Sequence, residues 1–175
     1  MFKSIKILKD EHRSIENLLN TLEYAVNKLE KEKIDTNLLK ELINVLLEAD
    51  MCHHGKEEDI FFVELEKYGA FNGPIGVMLY EHQYLRKLRK IMEENIDKLN
   101  EDENAKTNFI SASLEYINIL RNHILKEDNV LFRLAEDVLT QDIDEKMYNE
   151  FNEINIGHQC PHYLNTKAQE LHTKI

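Results

Sequence analysis

Apolar residues recur at steps of three and four along most of the chain, which is the spacing of a helix that buries one face. The first stripe runs from Ile5 to Leu29, and Ser4 before it is a candidate N-cap. Three further long stripes follow, separated by polar or glycine- and proline-containing segments, at residues 36–68, 74–99 and 109–138. Four long helices joined by short polar turns predict an all-α protein, an up-down-up-down four-helix bundle.

A shorter amphipathic segment follows the fourth stripe. We assign residues 1–140 to the bundle and residues 141–175 to a C-terminal helical extension that packs on it within the same domain. Gly157 and Pro161 interrupt this extension, and Pro161 is expected to prevent a regular helix around it. The length of 175 residues suits one domain, and the low content of glycine and proline favours long helices.

The chain carries the same sequence pattern twice. The segment "HHGKEEDIFF" at residues 53–62 is matched by "NHILKEDNVLF" at residues 122–132, and "EHRSIENLLNTLE" from Glu11 is matched by "EHQYLRKLRKIME" from Glu81. The histidines and glutamates of these segments recur at one offset of 70 residues. A self-match at a fixed period indicates that one helical hairpin has been duplicated.

The repeat places four histidines at one height in the predicted bundle. In each hairpin two histidines are equally distant from the turn, so antiparallel helices bring them level: His12 with His53, and His82 with His123. All four fall on, or next to, the apolar stripe of their helix. One turn after the second histidine of each hairpin, on the same helix face, come Glu57 and Glu127.

Four imidazoles and two carboxylates in one buried layer are costly to desolvate, and a bound metal compensates for that cost. Imidazole suits iron, zinc, copper or nickel, and the absence of thiolate argues against an iron–sulfur cluster or a cysteine-rich zinc site. Six ligands exceed the four of one tetrahedral ion. The pattern favours two ions that each bind two histidines and share two carboxylates, with the predicted ligands His12, His53, Glu57, His82, His123 and Glu127.

Four segments in this order resemble the hemerythrin-like family, also called HHE cation-binding domains: "LKDEHRSI", "HHGKEEDIFF", "GPIGVMLYEHQYLRKL" and "HILKEDNVLF". The resemblance spans about Ile5 to Val138 and implies a four-helix bundle with a non-haem di-iron centre. It implies two Fe ions joined by an oxo or hydroxo bridge, which bind O2, NO or peroxide. The six predicted ligands match the ligand pattern of the family.

One position departs from the oxygen-carrying animal members, which have a further histidine where this chain has Arg86. With four histidines, the site resembles bacterial members, including those proposed to repair damaged iron centres, and reversible oxygen carriage is disfavoured. Three functions remain open, since all use the same ligands. They are the binding or sensing of a small ligand, enzymatic stress defence or iron-centre repair, and iron-responsive regulation.

Several residues near the predicted centre have a second interpretation. Glu16 is an additional ligand, a hydrogen-bond partner of a ligand, or an exposed helix carboxylate. His54, which forms an HxxxE pair with Glu58, is expected at a helix boundary or on the surface, with ligation as the alternative. Cys52 is expected to be a small buried group. Packing is favoured over a role at the metal for four tyrosines: Tyr24, Tyr80, Tyr84 and Tyr116. A capping loop is favoured over a second metal site for His158, Cys160 and His162.

Composition excludes several classes of partner. The net charge is −11 and no basic run stands out, which argues against nucleic-acid binding. No apolar stretch is long enough to span a membrane, and charged residues come too early for a signal peptide, so a cytoplasmic protein is expected. In that reducing compartment the two cysteines are expected to be free thiols.

Overall fold

Helices make up the regular structure of residues 1–154 and 160–175, which are the residues that the computed structural model describes. In chain order they are α1 (Lys3–Leu29), α2 (Thr36–Ala49), α3 (Phe62–Glu66), α4 (Asn72–Asn95), α5 (Glu103–Lys126), α6 (Phe132–Val138), α7 (Gln141–Ile154) and α8 (Cys160–Lys174). The all-α prediction is confirmed. His158, one of the residues of the predicted capping loop, lies outside the described residues.

Two of the long helices are widened by π turns. The path from α2 to α3 passes through Asp50–His54 and Glu57–Phe61, and the path from α5 to α6 passes through Glu127–Leu131. A π turn closes its hydrogen bond five residues along instead of four, so it inserts a residue and shifts which neighbours share a helix face. All three π turns carry residues of the predicted metal layer.

The four long helices form a closed ring of neighbours. α1 contacts α2 and α5, and α4 contacts the same two helices. Short connections between successive helices make neighbours antiparallel, which gives the predicted up-down-up-down bundle. Two of the connections end in a side-chain N-cap, because Asp35 accepts a hydrogen bond from Asn37 N at 2.9 Å and Asp102 accepts one from Asn104 N at 2.8 Å.

The first helix begins differently from the prediction. α1 starts at Lys3, and Ser4 lies inside its first turn instead of capping it. The Ser4 hydroxyl and backbone N–H both donate to the carboxylate of Asp144 on α7, at 2.5 and 2.9 Å. Ser4 therefore ties the start of the bundle to the C-terminal extension.

A buried polar layer divides the bundle core into two apolar clusters. The larger cluster occupies the end near the turns at 30–35 and 99–102, and includes Leu19, Leu46, Leu88 and Phe109. The smaller cluster occupies the other end and includes Leu8, Phe61, Met78 and Phe132. On α1, His12 lies between Leu8 of one cluster and Ile15 of the other, so the predicted ligands have apolar residues on both sides.

The C-terminal extension covers one side of the bundle. α7 packs on α1 and on the π turn Glu57–Phe61, and α8 lies along α1 and α2. α8 begins at Cys160, so Pro161 stands in the first turn of a helix. The expectation that Pro161 prevents a helix and leaves a capping loop is wrong, because a first-turn proline lacks only an N–H that has no intrahelical partner there. No helix within the described ranges has the length and apolar character needed to cross a bilayer.

Candidate metal centre

The structure brings the six predicted ligands together with one more histidine in two buried groups. The two-histidine group consists of His12, His53, Glu57 and Glu127, and the three-histidine group consists of His54, His82, His123 and Glu57. Within each group the candidate ligand atoms all lie within 4.8 Å of one another, and every residue is buried. Both groups can hold a metal ion.

The two glutamates lie between the groups. Glu57 places Oε1 3.3 Å from His53 Nε2 and Oε2 3.4 Å from His82 Nε2. Glu127 places Oε2 3.1 Å from His12 Nε2 and 3.3 Å from His123 Nε2. Each carboxylate thus faces one histidine of each group, which is the position of a bridging ligand.

A second ring of carboxylates orients the imidazoles. Each of the five histidines turns its Nδ1 to a different carboxylate: His12 to Asp128 at 2.9 Å, His53 to Glu11 at 2.9 Å, His54 to Asp50 at 2.7 Å, His82 to Glu58 at 2.7 Å and His123 to Glu81 at 2.8 Å. A carboxylate only accepts hydrogen bonds, so this network places the ring hydrogen on Nδ1. The lone pair is then on Nε2, which points into the layer.

Most of the inward-facing atoms make no hydrogen bond within the described residues. The Nε2 atoms of His12, His53 and His54 and both oxygens of Glu57 and Glu127 are buried without a hydrogen bond. His82 Nε2 and His123 Nε2 lie 3.0 Å apart, although both carry lone pairs in this network. Unpaired buried acceptors that face one another are unfavourable, and a cation between them satisfies all of them. The donor set therefore fits a metal.

Without a metal, the carboxylates draw protons onto most of these imidazoles. Burial lowers the pKa of His53, but Glu57 and Glu11 outweigh it and raise that pKa from its ordinary value of 6.5 to about 10. In the same way burial is outweighed by Glu127 and Glu81, which raise the pKa of His123 to about 10. In the metal-free layer, protonated imidazoles therefore supply the positive charge that balances the glutamates, a charge that metal ions would otherwise provide.

His54 differs from the sequence-based expectation. It is buried, with an exposed fraction of 3%, and does not lie on the surface. The π turn Asp50–His54 is the reason, because its wider backbone brings the consecutive His53 and His54 both to the inner face. Burial and the neighbouring His82 lower the pKa of His54 to about 3. The His54 imidazole is therefore uncharged, as a metal ligand must be.

Arg86 supports this fifth imidazole from outside. Its guanidinium binds Asp50 through Nε to Oδ2 at 3.0 Å and Nη2 to Oδ1 at 3.0 Å, and Asp50 in turn accepts from His54. Arg86, which stands where the oxygen-carrying animal members have a histidine, therefore holds Asp50 in place, and Asp50 in turn holds His54. The layer contains five imidazoles, the four predicted ones and that of His54, for which ligation was the alternative.

Two lysines complete the outer ring. Lys56 is fully buried and its ammonium pairs with Glu11, while Lys126 pairs with Glu81. The prediction from sequence did not include these two lysines or most of the outer carboxylates. The 70-residue repeat could have identified them, because the same offset relates three further pairs of charged residues: Glu11 and Glu81, Lys56 and Lys126, and Glu58 and Asp128.

The remaining candidates lie away from the layer. Glu16 is partly exposed and pairs with Arg121 Nε at 2.7 Å. Tyr24 and Tyr80 are exposed, the Tyr84 hydroxyl donates to Glu115 at 2.5 Å, and Tyr116 is buried in the larger apolar cluster. His162 is exposed on α8.

The cysteines also differ from expectation. Cys52 is buried, as predicted, but it is not a free thiol, because its sulfur is bonded to that of Cys160. Two free thiols were expected because the cytoplasm is reducing, and that argument does not consider which residues the fold brings together. The structure shows that the start of α8 brings Cys160 against the π turn of Cys52.

Comparison with known families agrees with this geometry. The sequence matches the model of the family described as "Hemerythrin HHE cation binding domain" over residues 3–135, from the start of α1 into α6. A search of curated proteins found no match. The matched region contains both histidine groups and their carboxylates, and the family prediction is confirmed. The chain belongs to the hemerythrin HHE cation-binding domain family.

Proposed function

We propose that the protein binds two iron ions in the buried layer and uses them to bind or sense a small ligand, which is O2, NO or peroxide. The ligands are His12, His53, Glu57, His82, His123 and Glu127, with His54 added by the geometry. The observation that carries the proposal is the convergence of unpaired Nε2 and carboxylate oxygen atoms in one buried layer. A mixed set of imidazole and carboxylate donors suits iron.

The two metal positions differ in the number of protein donors. The three-histidine group offers three imidazoles and both glutamates, whereas the two-histidine group offers two imidazoles and the same glutamates. An ion held by the second set would have fewer protein ligands and so could accept more ligands from outside the protein. We infer that the small ligand binds on the side of His12 and His53. Iron supplies the open coordination positions and the electrons that such ligands require.

The chain restricts what can reach the iron. Phe132 stacks on the His12 ring at 5.5 Å between centroids, and Phe61 meets Phe132 edge to face. One apolar surface groove of about 300 Å³ approaches the layer, and its inner wall is formed by Met78 and Leu131, one helical turn from His82 and Glu127. These apolar walls exclude bulk water and large polar molecules and admit small ones.

Titration of anaerobic, iron-loaded protein with NO tests the ligand-binding role. We expect a new visible absorption that saturates and that is lost on removal of the iron. Two bound irons with no spectral response to NO, O2 or peroxide would contradict the role in ligand binding. That result would leave metal binding intact and favour the alternative in which the iron content itself is sensed.

Iron-responsive regulation is the second candidate. Loss of metal removes the ions that would tie the histidines and glutamates of different helices together and leaves protons on His53 and His123 in their place, so the layer is expected to loosen when iron is scarce. Repair of damaged iron centres or reduction of peroxide would instead show turnover. Multiple-turnover consumption of NO or peroxide with an electron donor separates that enzymatic alternative from binding and sensing.

The outer carboxylates provide a further prediction. Glu11→Gln and Glu81→Gln should each lower metal affinity roughly 10- to 100-fold, because the Nδ1 partner holds the ring and increases the basicity of Nε2. Glu16→Gln is the matched control, since Glu16 lies on the same helix as Glu11 but pairs with Arg121. Competition with a chelator measures the affinities. Equal affinities in all three variants would contradict the assigned role of the outer ring.

A further inference from the structure

A cysteine pair joins the C-terminal extension to the ligand-bearing helix. Cys52 lies in the π turn that also carries His53 and His54, and Cys160 is the first residue of α8. Their sulfurs are bonded, and their Cα atoms lie 6.7 Å apart, within the range of disulfides. Cys160 lies outside residues 3–135, the part of the chain that matches the family. The pair therefore joins the part of the chain that matches the family to a helix outside the match.

The pair lies against a charged chain that ends at a metal-facing histidine. Lys56 Nζ is 3.1 Å from Cys52 Sγ and also pairs with Glu11. Glu11 Oε2 lies 2.9 Å from His53 Nδ1. All of these groups are buried, so an unbroken series of buried contacts connects the Cys52 sulfur to the ring of His53.

The duplicated half provides an internal comparison. It contains the same arrangement of Lys126, Glu81 and His123, but Asn122 stands where the first half has Cys52. Lys126 is 42% exposed, whereas Lys56 is fully buried near the base of α8. The metal layer can thus be built without a cysteine pair, which leaves the pair free for another role.

We propose that Cys52 and Cys160 form a second redox site, a dithiol–disulfide couple that peroxides oxidise and that sets the metal affinity of the layer by clamping the π turn of His53 and His54. The coupling to metal rests on the proposed function, whereas the thiol chemistry does not. A clamped turn holds two imidazoles in place before the metal arrives, and preorganised ligands bind more tightly. Oxidation should strengthen metal binding and reduction should weaken it.

The oxidation balances with hydrogen peroxide as the oxidant. The Cys52 sulfur, in contact with the Lys56 ammonium, attacks one peroxide oxygen, the O–O bond breaks, and the departing hydroxide takes the thiol proton and leaves as water. The Cys160 sulfur then attacks the sulfenic acid on Cys52, and a second water leaves as the S–S bond forms. The two thiols lose two electrons and two protons, which reduce the peroxide to two waters. A dithiol reductant reverses the change.

The thiol chemistry is tested on metal-free protein. We expect no free thiol in the oxidised protein, both cysteines free after dithiothreitol, and none again after stoichiometric hydrogen peroxide. Lys56→Met should slow the reoxidation by roughly an order of magnitude, and Lys126→Met is the matched control that should leave it unchanged. Over-oxidation to sulfinic acid without disulfide formation, or equal rates in both variants, would overturn the assignment.

The coupling is tested with Co²⁺ as the probe, by chelator competition on oxidised and reduced protein. Reduced protein should bind Co²⁺ roughly 10-fold more weakly, and Cys160→Ser should match the reduced form with or without dithiothreitol. Equal affinities would overturn the clamp. A thiolate-to-cobalt absorption band in the reduced protein would also overturn it, because Glu11, Cys52 and Cys160 would then themselves bind metal. No Co²⁺ binding in either state would instead contradict the proposed function.

Discussion

We expect Glu57→Ala to abolish the binding of both metal ions. Glu57 belongs to both histidine groups and faces His53 with one oxygen and His82 with the other, so its loss removes a donor from each ion. The variant also leaves these imidazoles without their buried counter-charge. Metal content after loading and desalting, measured beside the melting temperature, gives the result. Both should fall together, because a metal that binds only the folded state stabilises it.

Two matched variants sharpen this test. His54→Ala should weaken the binding of the ion in the three-histidine group and leave the other ion unaffected, because His54 belongs to that group alone. His162→Ala should leave metal content and melting temperature unchanged, since His162 is exposed on α8. Retention of one tightly bound ion in Glu57→Ala would mean that Glu57 does not bridge. Equal metal loss in His162→Ala would contradict the location of the centre.

The second large effect is an opposite pH dependence of stability with and without metal. In the metal-free protein the pKa of His53 and of His123 is about 10, against an ordinary value of 6.5. Between these values the folded state holds more protons than the unfolded state, so stability falls as pH rises from 6.5 to about 10. Since one unit of pKa corresponds to about 1.4 kcal/mol, two such groups account for several kcal/mol.

Other groups limit stability on the acid side. The pKa of Glu127 is lowered from 4.5 to about 2, because His123 and His12 outweigh burial and the neighbouring Glu57. Burial lowers the pKa of His54 to about 3. When the pH falls below the ordinary pKa of either group, the unfolded state binds more protons at that group than the folded state does. Stability is therefore lost in acid. The metal-free protein should therefore be most stable near pH 6.5.

Metal reverses the alkaline trend. Ligating imidazoles must be neutral, so protons compete with metal, and binding at pH 8 should release protons from His53 and His123. Thermal melts between pH 6 and pH 9.5 should show a falling melting temperature after chelation and a level or rising one after loading. Titration calorimetry in buffers of different ionisation enthalpy counts the released protons. Parallel pH profiles for the two forms, or metal binding without proton release, would contradict the assigned ligands.

The duplicated hairpins depend on each other at the centre. Within a hairpin, Glu11 holds His53 and Glu81 holds His123. Between hairpins, Asp128 of the second half holds His12, and Glu58 of the first half holds His82. Glu57 and Glu127 each contact one histidine of their own hairpin and one of the other hairpin. Neither hairpin supplies a complete metal position, so the centre forms only when the bundle closes.

The fold, and the position of the histidine layer along the bundle axis, could be predicted because both follow from the periodicity of the sequence. Apolar stripes mark the inner face of each helix, and the 70-residue offset makes His12 and His53 equivalent to His82 and His123. These features depend on spacing along regular helices, which sequence shows directly. Four of the five outer carboxylates, Glu11, Glu81, Glu58 and Asp128, keep the same offset, so a comparison of acidic residues across the repeat would have found them; Asp50 is matched by Leu120 and would not have been found.

The asymmetry of the centre could not be predicted in this way. The π turn Asp50–His54 has no equivalent at the matching place in the second half, where α5 runs regularly through to Lys126. Ideal α-helical spacing puts His54 one step away from His53 and off the inner face, and only the widened turn brings it in. The bond between Cys52 and Cys160 joins residues 108 apart, one of them outside the repeat, so no periodic signal marks it.

The most direct test of the central claim is the iron content per chain. Protein loaded with Fe²⁺ under anaerobic conditions and freed of unbound metal should contain two irons per chain, by elemental analysis against an absolute protein concentration. Two irons in the wild-type chain, and none in Glu57→Ala, is the predicted result. One iron or none in the wild-type chain would contradict the di-iron centre.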